Sequence, residues 1–322
     1  MKVYTKISEF KTVNKAVCTV GMFDGVHIGH RKIMTQLQQE AHKNDAETVV
    51  VTFDPHPRLY FDKNNSSNLR ILTDVQERIE TFSTLGIQHL LIIPFDDQLA
   101  NMSSYAFIND VIKQQIGAQT LLLGYDHRFG KNREGGFEYL QQHQEQLGIH
   151  VVEISRLDID NAAVSSTQIR NYLAEGAITK ANQLLGRNYS LYGTVVKGKQ
   201  LGRTIHVPTA NIMVENPYKM IPQNGVYVAH AIHKGQKYGA MMNIGTNPTV
   251  SHTLTQKIEA HIFDFNEEIY GDTLHVELID RLRDEQKFDN LSQLVAQLQK
   301  DKQNALQILN HIEKTTKETF VS

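Results

Sequence analysis

The sequence predicts an α/β domain on a parallel sheet, then a small antiparallel β-barrel or sandwich closed by a long helix. Three observations predict this. Up to about residue 185, short apolar runs alternate with amphipathic helical stretches, the pattern of a parallel sheet covered on both faces. From Gly186 on, strand signals follow one another across Gly- and Asn-bearing turns such as "HKGQK" and "NEEIYGD". Over about 291–315, Leu291, Leu294, Leu298, Leu306 and Leu309 mark one amphipathic helix. The predicted domains are 1–185 and 186–322, without repeats or a low-complexity linker.

In chain order, "AVCTV" (16–20) is a buried strand, and the helix after it places Ile33, Met34, Leu37 and Ala41 on one face. "TVVVTF" (48–53) is apolar without alternation, as a strand buried on both faces must be. A helix over 73–86 opens on Thr73 with Gln76 three residues on, a capping-box spacing, and ends at Gly86. Strand "HLLIIPF" (89–95), helix 104–117, strand "TLLLG" (120–124), helix 137–148, strand "HVVEI" (150–154) and helix 165–176 continue the alternation. The second half reads as strands "YGTVVKG", "TANIMV", "GVYVAHAI", "YGAMMNIG", "IEAHIFDF" and "TLHVELIDRL".

Composition narrows the function. Of 322 residues, 40% are hydrophobic and 21% charged, as in globular proteins generally. A net charge of −2 provides no bulk field for nucleic acid or membrane, so neither is expected as a partner. One cysteine, Cys18, rules out an internal disulfide and a multi-cysteine metal site. No secretory h-region or bilayer-length apolar run is present, and a cytoplasmic location is expected. Oligomeric state is not legible.

The densest motif is "GMFDGVHIGH" (21–30), placed between the first buried strand and its helix. Ligands of α/β sheets bind at the carboxyl ends of strands. Gly21, Gly25 and Gly29 let an anion approach the backbone, and a helix N-terminus favours negative charge there. His27 and His30 can donate to phosphate oxygens and stabilise charge that builds during transfer. Neither GxxxxGK[ST] nor GxGxxG occurs, so the loop belongs to another class of nucleotide site. A helix-packing face, a zinc site completed by Asp24 or Cys18, and a plain strand-to-helix turn are the competing readings. "VSSTQIR" (164–170) supplies hydroxyls and a fixed cation, and is otherwise an ordinary helix cap. "FDPHP" is otherwise a rigid two-proline loop.

In the second half, Gly198 and Gly202 flank a basic loop with Lys197, Lys199 and Arg203, able to wrap phosphates. "PTAN" (208–211) follows, where Thr209 and Asn211 offer hard oxygen ligands suited to Mg²⁺. An exposed β-hairpin turn is the competing reading. On strand alternation alone, Glu259 in "IEAHIF" faces solvent.

The "HIGH" of the first loop, preceded by FDG, resembles the HxGH signature of the nucleotidylyltransferase superfamily. With "TFDPHP" (52–57), "GYDHRFG" (124–130) and "VSSTQIR" in order, the first half resembles the bacterial bifunctional riboflavin kinase/FAD synthetase family. The second half resembles its kinase module through "PTAN", "NGVYVA", "MNIGTNPTV", "IEAHIFDF", "IYGDTLHVEL" and "LRDEQKFDNL". The resemblance implies a Rossmann-like N-terminal domain, a C-terminal barrel, and two reactions. Riboflavin becomes FMN at the expense of ATP, and FMN is then adenylylated to FAD with release of pyrophosphate, ATP being used with Mg²⁺.

Residue by residue, the resemblance implies that His27 and His30 contact the ATP phosphates, beside Gly21, Phe23, Asp24 and Gly29. Ser166, Thr167 and Arg170 hold the triphosphate from the other side. Asp54, Pro55, His56, Pro57 and Asp126 line the flavin side, Asp126 being near flavin or adenine. In the kinase, Gly198, Lys199, Gly202, Arg203 and Asn211 bind ATP, Thr209 and Asn211 hold Mg²⁺, and Glu259 is the base. Two positions depart from the family wording: His127 replaces a frequent aromatic, and His206 replaces a small residue beside PTAN. A single-activity adenylyltransferase with a flavin-binding barrel, and a flavin-sensing regulator, are the alternative functions.

Overall fold

The computed structural model describes residues 1–62, 68–124, 128–154, 164–198, 207–248 and 254–321. Asp126, His127, Lys199, Gly202, Arg203 and His206 lie outside the described residues. The chain forms two compact units, Met1–Ser166 and Thr167–Ser322.

The first unit is a six-stranded sheet with every pairing parallel, in the order β1-β4-β3-β2-β5-β6. Its strands are β1 (Lys2–Tyr4), β2 (Ala16–Val20), β3 (Glu47–Asp54), β4 (His89–Pro94), β5 (Ala118–Gly124) and β6 (His150–Ile154). The apolar runs lack alternation because both faces are covered. Cys18, Val49, Val51, Leu91, Leu121 and Leu123 pack on one face with Phe107, Ile108, Val111 and Leu140. Val17, Val50, Leu90 and Leu122 pack on the other with Met34, Leu37 and Phe82. Each such buried side chain contributes about 1.5–3 kcal/mol relative to exposure. Cys18 is among them, and burial pushes its thiol pKa up, so it is a core residue rather than a nucleophile.

Helices α1 (Ile28–Lys43) and α3 (Val75–Thr84) supply the second face. Short α2 (Pro57–Phe61), α4 (Asp97–Asn101) and α5 (Ser104–Ala106) lie in the connections, and α5 continues as a π-helix over Phe107–Gln115. Helix α6 (Phe137–Leu147) precedes β6. Two local expectations change. The edge strand β1 is additional, pairing with β4. The capping box of α3 is Asp74 with Glu77, one residue later than the Thr73–Gln76 spacing, because Thr73 is engaged by the loop after β2.

The second unit opens within α7 (Ser166–Ala174), at Thr167, and continues with α8 (Ile178–Leu185), the latter not read from the sequence. Both are tied to the barrel: Asn182 Nδ2 donates to Leu278 O at 2.8 Å, and Gln223 N–H donates to Leu173 O at 2.9 Å. The barrel strands are β7 (Tyr189–Val196), β8 (Ala210–Met213), β9 (Gly225–His233), β10 (Gln236–Pro248), β11 (Leu254–Ile262) and β12 (Thr273–Arg283). They close in the order β10-β11-β8-β7-β12-β9, a barrel rather than a sandwich. Ile212, Met242, Ile244, Ile258, Ala260, Leu274 and Val276 are buried, and the residues alternating with them face outward.

Helix α9 (Leu291–Val321) runs past the expected 315. Its Ala305 and Leu309 cover the outward Val228, Met241, Phe263 and Ile279. Arg283 locks α9 to β12, Nη2 lying 2.7 Å from the buried Asp301 carboxylate.

Candidate active sites

The strand order reverses between β2 and β5, so the loops after these strands open a crevice at the carboxyl edge of the sheet. The "GMFDGVHIGH" loop occupies that position. It begins with Gly21, whose N–H donates to Val51 O at 3.0 Å. A Cβ on Gly21 would stand 2.8 Å from the Phe23 ring, so glycine is required for Phe23 to fold back. Phe23 and Val26 have φ of +49° and +38°, a region that bulky and β-branched residues rarely visit. Both are buried, and the surrounding contacts hold them there.

Asp24, between them, anchors the loop. Its carboxylate is 5% exposed and accepts from Leu72 N–H at 2.9 Å and Thr73 N–H at 3.0 Å. The Thr73 hydroxyl donates to Asp24 at 3.3 Å and accepts from Gly25 N–H at 2.9 Å. The Asp24 carboxylate therefore holds the loop geometry, and no acidic residue stands in the first turn of α1. Ser166 also ties the loop, its hydroxyl donating to Asp24 O at 2.8 Å. Thr167 is exposed and Arg170 half-buried on α7.

His27 caps α1. Its Nδ1 accepts from His30 N–H at 3.3 Å, so a neutral His27 carries its proton on Nε2 and presents a donor. The two imidazoles stack with centroids 3.7 Å apart, and Phe23 meets His30 edge-on at 5.3 Å. Burial, with the neighbouring His27 adding to it, holds the His30 pKa well below the usual histidine value. At neutral pH His30 is thus an uncharged ring, with a buried Nδ1 that has no hydrogen-bond partner among the described residues.

The carboxyl end of β3 lies beside β2 and carries Asp54, Pro55, His56 and Pro57. His56 caps α2, its Nδ1 accepting from Arg58 N–H at 3.1 Å. Arg78, unrecognised in the sequence, organises this corner. It is 4% exposed, and its Nη1 donates to Thr52 Oγ1 at 2.8 Å and Phe53 O at 3.0 Å. Its Nη2 reaches Asp54 Oδ1 at 3.4 Å. Burial raises the Asp54 pKa, and Arg78 opposes that rise. Beside the corner, Tyr60, Phe61 and Phe95 meet edge-on, with Phe61 66% exposed. Tyr60 donates its hydroxyl to Asp97.

A separate set gathers on the outer face of the barrel. Antiparallel register places Glu259 of β11 directly opposite Asn211 of β8 on one side and Asn243 of β10 on the other. All three are half-buried and alternate with buried neighbours, so they form one row. Thr209 immediately precedes β8. His261, two residues past Glu259, donates Nδ1–H to Pro208 O at 2.8 Å and so pins the start of PTAN. Burial, partly offset by that bond, lowers the His261 pKa, in keeping with a neutral donor. Gly198 is required behind Asn211: a Cβ there would come 2.2 Å from Asn211 Nδ2. Lys257 lies on the same face, its Nζ 2.6 Å from Glu259 Oε1.

A protein of Listeria monocytogenes named bifunctional riboflavin kinase/FMN adenylyltransferase is 35% identical over 299 residues, covering 92% of this chain and 93% of that one. The chain belongs to the bifunctional riboflavin kinase/FMN adenylyltransferase family. Relatives of that name in Bacillus subtilis and Escherichia coli K12 are 33% and 34% identical. The first covers 93% of this chain and 94% of its own, the second 90% and 91%. The FAD synthetase model matches residues 9–168 and the riboflavin kinase model residues 185–309. The chain is thus an enzyme of the family with both domains. The histidine loop falls in the first match and the Asn211–Glu259–Asn243 row in the second. A Streptococcus pneumoniae structure described as a macrolide-efflux protein has a TM-score of 0.82 at 30% identity, covering 94% of this chain and 97% of that one. Among the described residues of the present chain, no helix is long and apolar enough to cross a membrane.

Proposed function

We propose that the barrel phosphorylates riboflavin with Glu259 as general base, and that the histidine loop adenylylates the resulting FMN. One observation carries the assignment of the base: strand register puts Glu259 beside Asn211 and within the reach of PTAN. Glu259 takes the ribityl hydroxyl proton as that oxygen attacks the γ-phosphorus of ATP. Asn211, Gly198 and the family-matched Lys199, Gly202 and Arg203 bind ATP.

Thr209 and Asn211 fit a Mg²⁺ ion, since a hydroxyl and an amide carbonyl are the hard donors it takes, with phosphates and water completing its shell. When bound, the ion neutralises phosphate charge. Gly198→Ala is expected to lower riboflavin phosphorylation about 10–100-fold by displacing Asn211. FAD formation from supplied FMN, measured on the same preparation, stays unchanged.

In the adenylyltransferase, the FMN phosphate attacks the α-phosphorus of ATP and pyrophosphate leaves, without a covalent enzyme intermediate. Catalysis rests on positioning and on donors aimed at charge that builds in the transition state. His27 and His30 supply the donors. Phe23 backs the His30 ring, Gly21 and Gly29 keep the backbone close, and Asp24 holds the loop in shape. Ser166 is joined to that loop, and its segment continues through Thr167 and Arg170, which the family pattern assigns to the triphosphate. Asp54, Pro55, His56 and Pro57, with Asp126, line the flavin side. The exposed Phe61, beside Tyr60 and Phe95, offers that side an aromatic surface for the isoalloxazine ring.

ATP, riboflavin, FMN and FAD are the ligands of this reading, small molecules handled in the cytoplasm without nucleic acid. Its division of activities falls at 185/186, which leaves α7 and α8, grouped with the barrel in the structure, on the adenylyltransferase side. The test is flavin chromatography after incubating the full chain with riboflavin, ATP and Mg²⁺. FMN is expected first and FAD after it. Absence of FMN would remove the kinase assignment, and FMN that never becomes FAD would remove the adenylyltransferase assignment.

A further inference from the structure

We propose that Lys257 is the phosphoryl-binding cation of the kinase site, exchanging Glu259 for the phosphate of newly formed FMN. The inference rests on the reading of Glu259 as the base. Lys257 and Glu259 stand two residues apart on β11, on the same outward face, with Nζ and Oε1 2.6 Å apart. Their side chains are 31% and 22% exposed, so the pair is open to solvent and to a ligand. Among the described residues this is the one ion pair Lys257 makes. An open pair of this kind adds little to stability and exchanges partners readily.

The reaction supplies a reason for the exchange. As the ribityl hydroxyl attacks, its O–H proton passes to Glu259 and a new O–P bond forms. The bond from the γ-phosphorus to the β,γ-bridging oxygen breaks, and ADP keeps the electron pair. Glu259 becomes neutral, so Lys257 loses its anionic partner at the step that places a phosphomonoester beside it. Glu259 later returns its proton to water. A second carboxylate borders the row: Glu285 Oε1 stands over Gly245, the residue opposite Lys257, 2.1 Å from where a Cβ would be. Without Lys257 the phosphomonoester would meet Glu285 uncompensated once Glu259 ionises again. A cation here therefore favours the phosphorylated flavin over riboflavin, whereas a group that only oriented Glu259 would not distinguish them.

The test uses the full chain with Lys257→Gln and Lys257→Arg. Initial rates of riboflavin consumption are measured with FMN added as product inhibitor, and FAD formation from FMN serves as a folding control. In Lys257→Gln the FMN inhibition constant is expected to rise about tenfold or more, the loss of one charge-assisted hydrogen bond. The KM for riboflavin should stay within about twofold, because riboflavin carries no phosphate. Lys257→Arg should restore most of the FMN affinity. An unchanged FMN constant in Lys257→Gln, or equal weakening of FMN and riboflavin, overturns the proposal. Glu259→Gln run alongside separates the two readings: retained phosphorylation there removes the base, while the FMN-to-riboflavin contrast at Lys257 is read independently of it.

Discussion

Glu259→Gln is expected to reduce riboflavin phosphorylation about 10²–10⁴-fold, the usual contribution of a positioned general base. The same protein should convert supplied FMN to FAD at the wild-type rate. The substitution keeps the side chain's size and one acceptor oxygen, so the β8–β11–β10 row should persist. Glu259 is on the outer face and half-exposed, and its loss leaves no cavity in the barrel interior. What disappears is the carboxylate that accepts the proton. A small loss confined to KM would show that Glu259 binds substrate without taking the proton. Parallel loss of both activities in a variant with unchanged thermal unfolding would overturn the two-site reading.

The fold was legible because its signals are local. Runs such as "TVVVTF" have one explanation in an α/β pattern, and the shift to alternating strands after Gly186 is a change of period visible by eye. The histidine loop was legible for a similar reason, since its chemistry is concentrated in ten residues. Asp24 adds a tie that the motif does not announce. The resemblance gives it to the ATP site, and its carboxylate also holds the backbone of residues 72 and 73, a pairing across the fold that spacing does not encode. The same pairing draws Thr73 away from helix capping and leaves the role to Asp74.

Arg78 was missed because it belongs to no motif. The signal was present: it sits on the apolar side of α3, one turn before Phe82, where a cation needs buried acceptors. Glu259 is the opposite case. Alternation alone puts it in solvent, and the structure does place it on the outer face. Its neighbours Asn211 and Asn243 come from other strands, so the row exists only once register is known. Lys257 shares that origin, and nothing in "TQKIEAHIF" marks it apart from other surface lysines.

The mirror experiment is His30→Ala, expected to slow FAD formation from supplied FMN about 10²–10³-fold, the scale of losing one donor aimed at a transition-state oxygen. Riboflavin phosphorylation should continue and FMN should accumulate. The structure shows a second, smaller role for the ring. His30 is the stacking partner of His27 at 3.7 Å and rests against Phe23, so alanine also frees the ring of the helix cap. The His30 N–H bond to His27 Nδ1 comes from the backbone and survives the change, which keeps the α1 cap in place. His30→Asn, which retains a donor of similar reach, should recover part of the rate, whereas His30→Phe should keep the stack and recover little. Recovery by phenylalanine would make His30 a support for His27, and a His30→Ala enzyme making FAD at the wild-type rate would remove this histidine from the reaction.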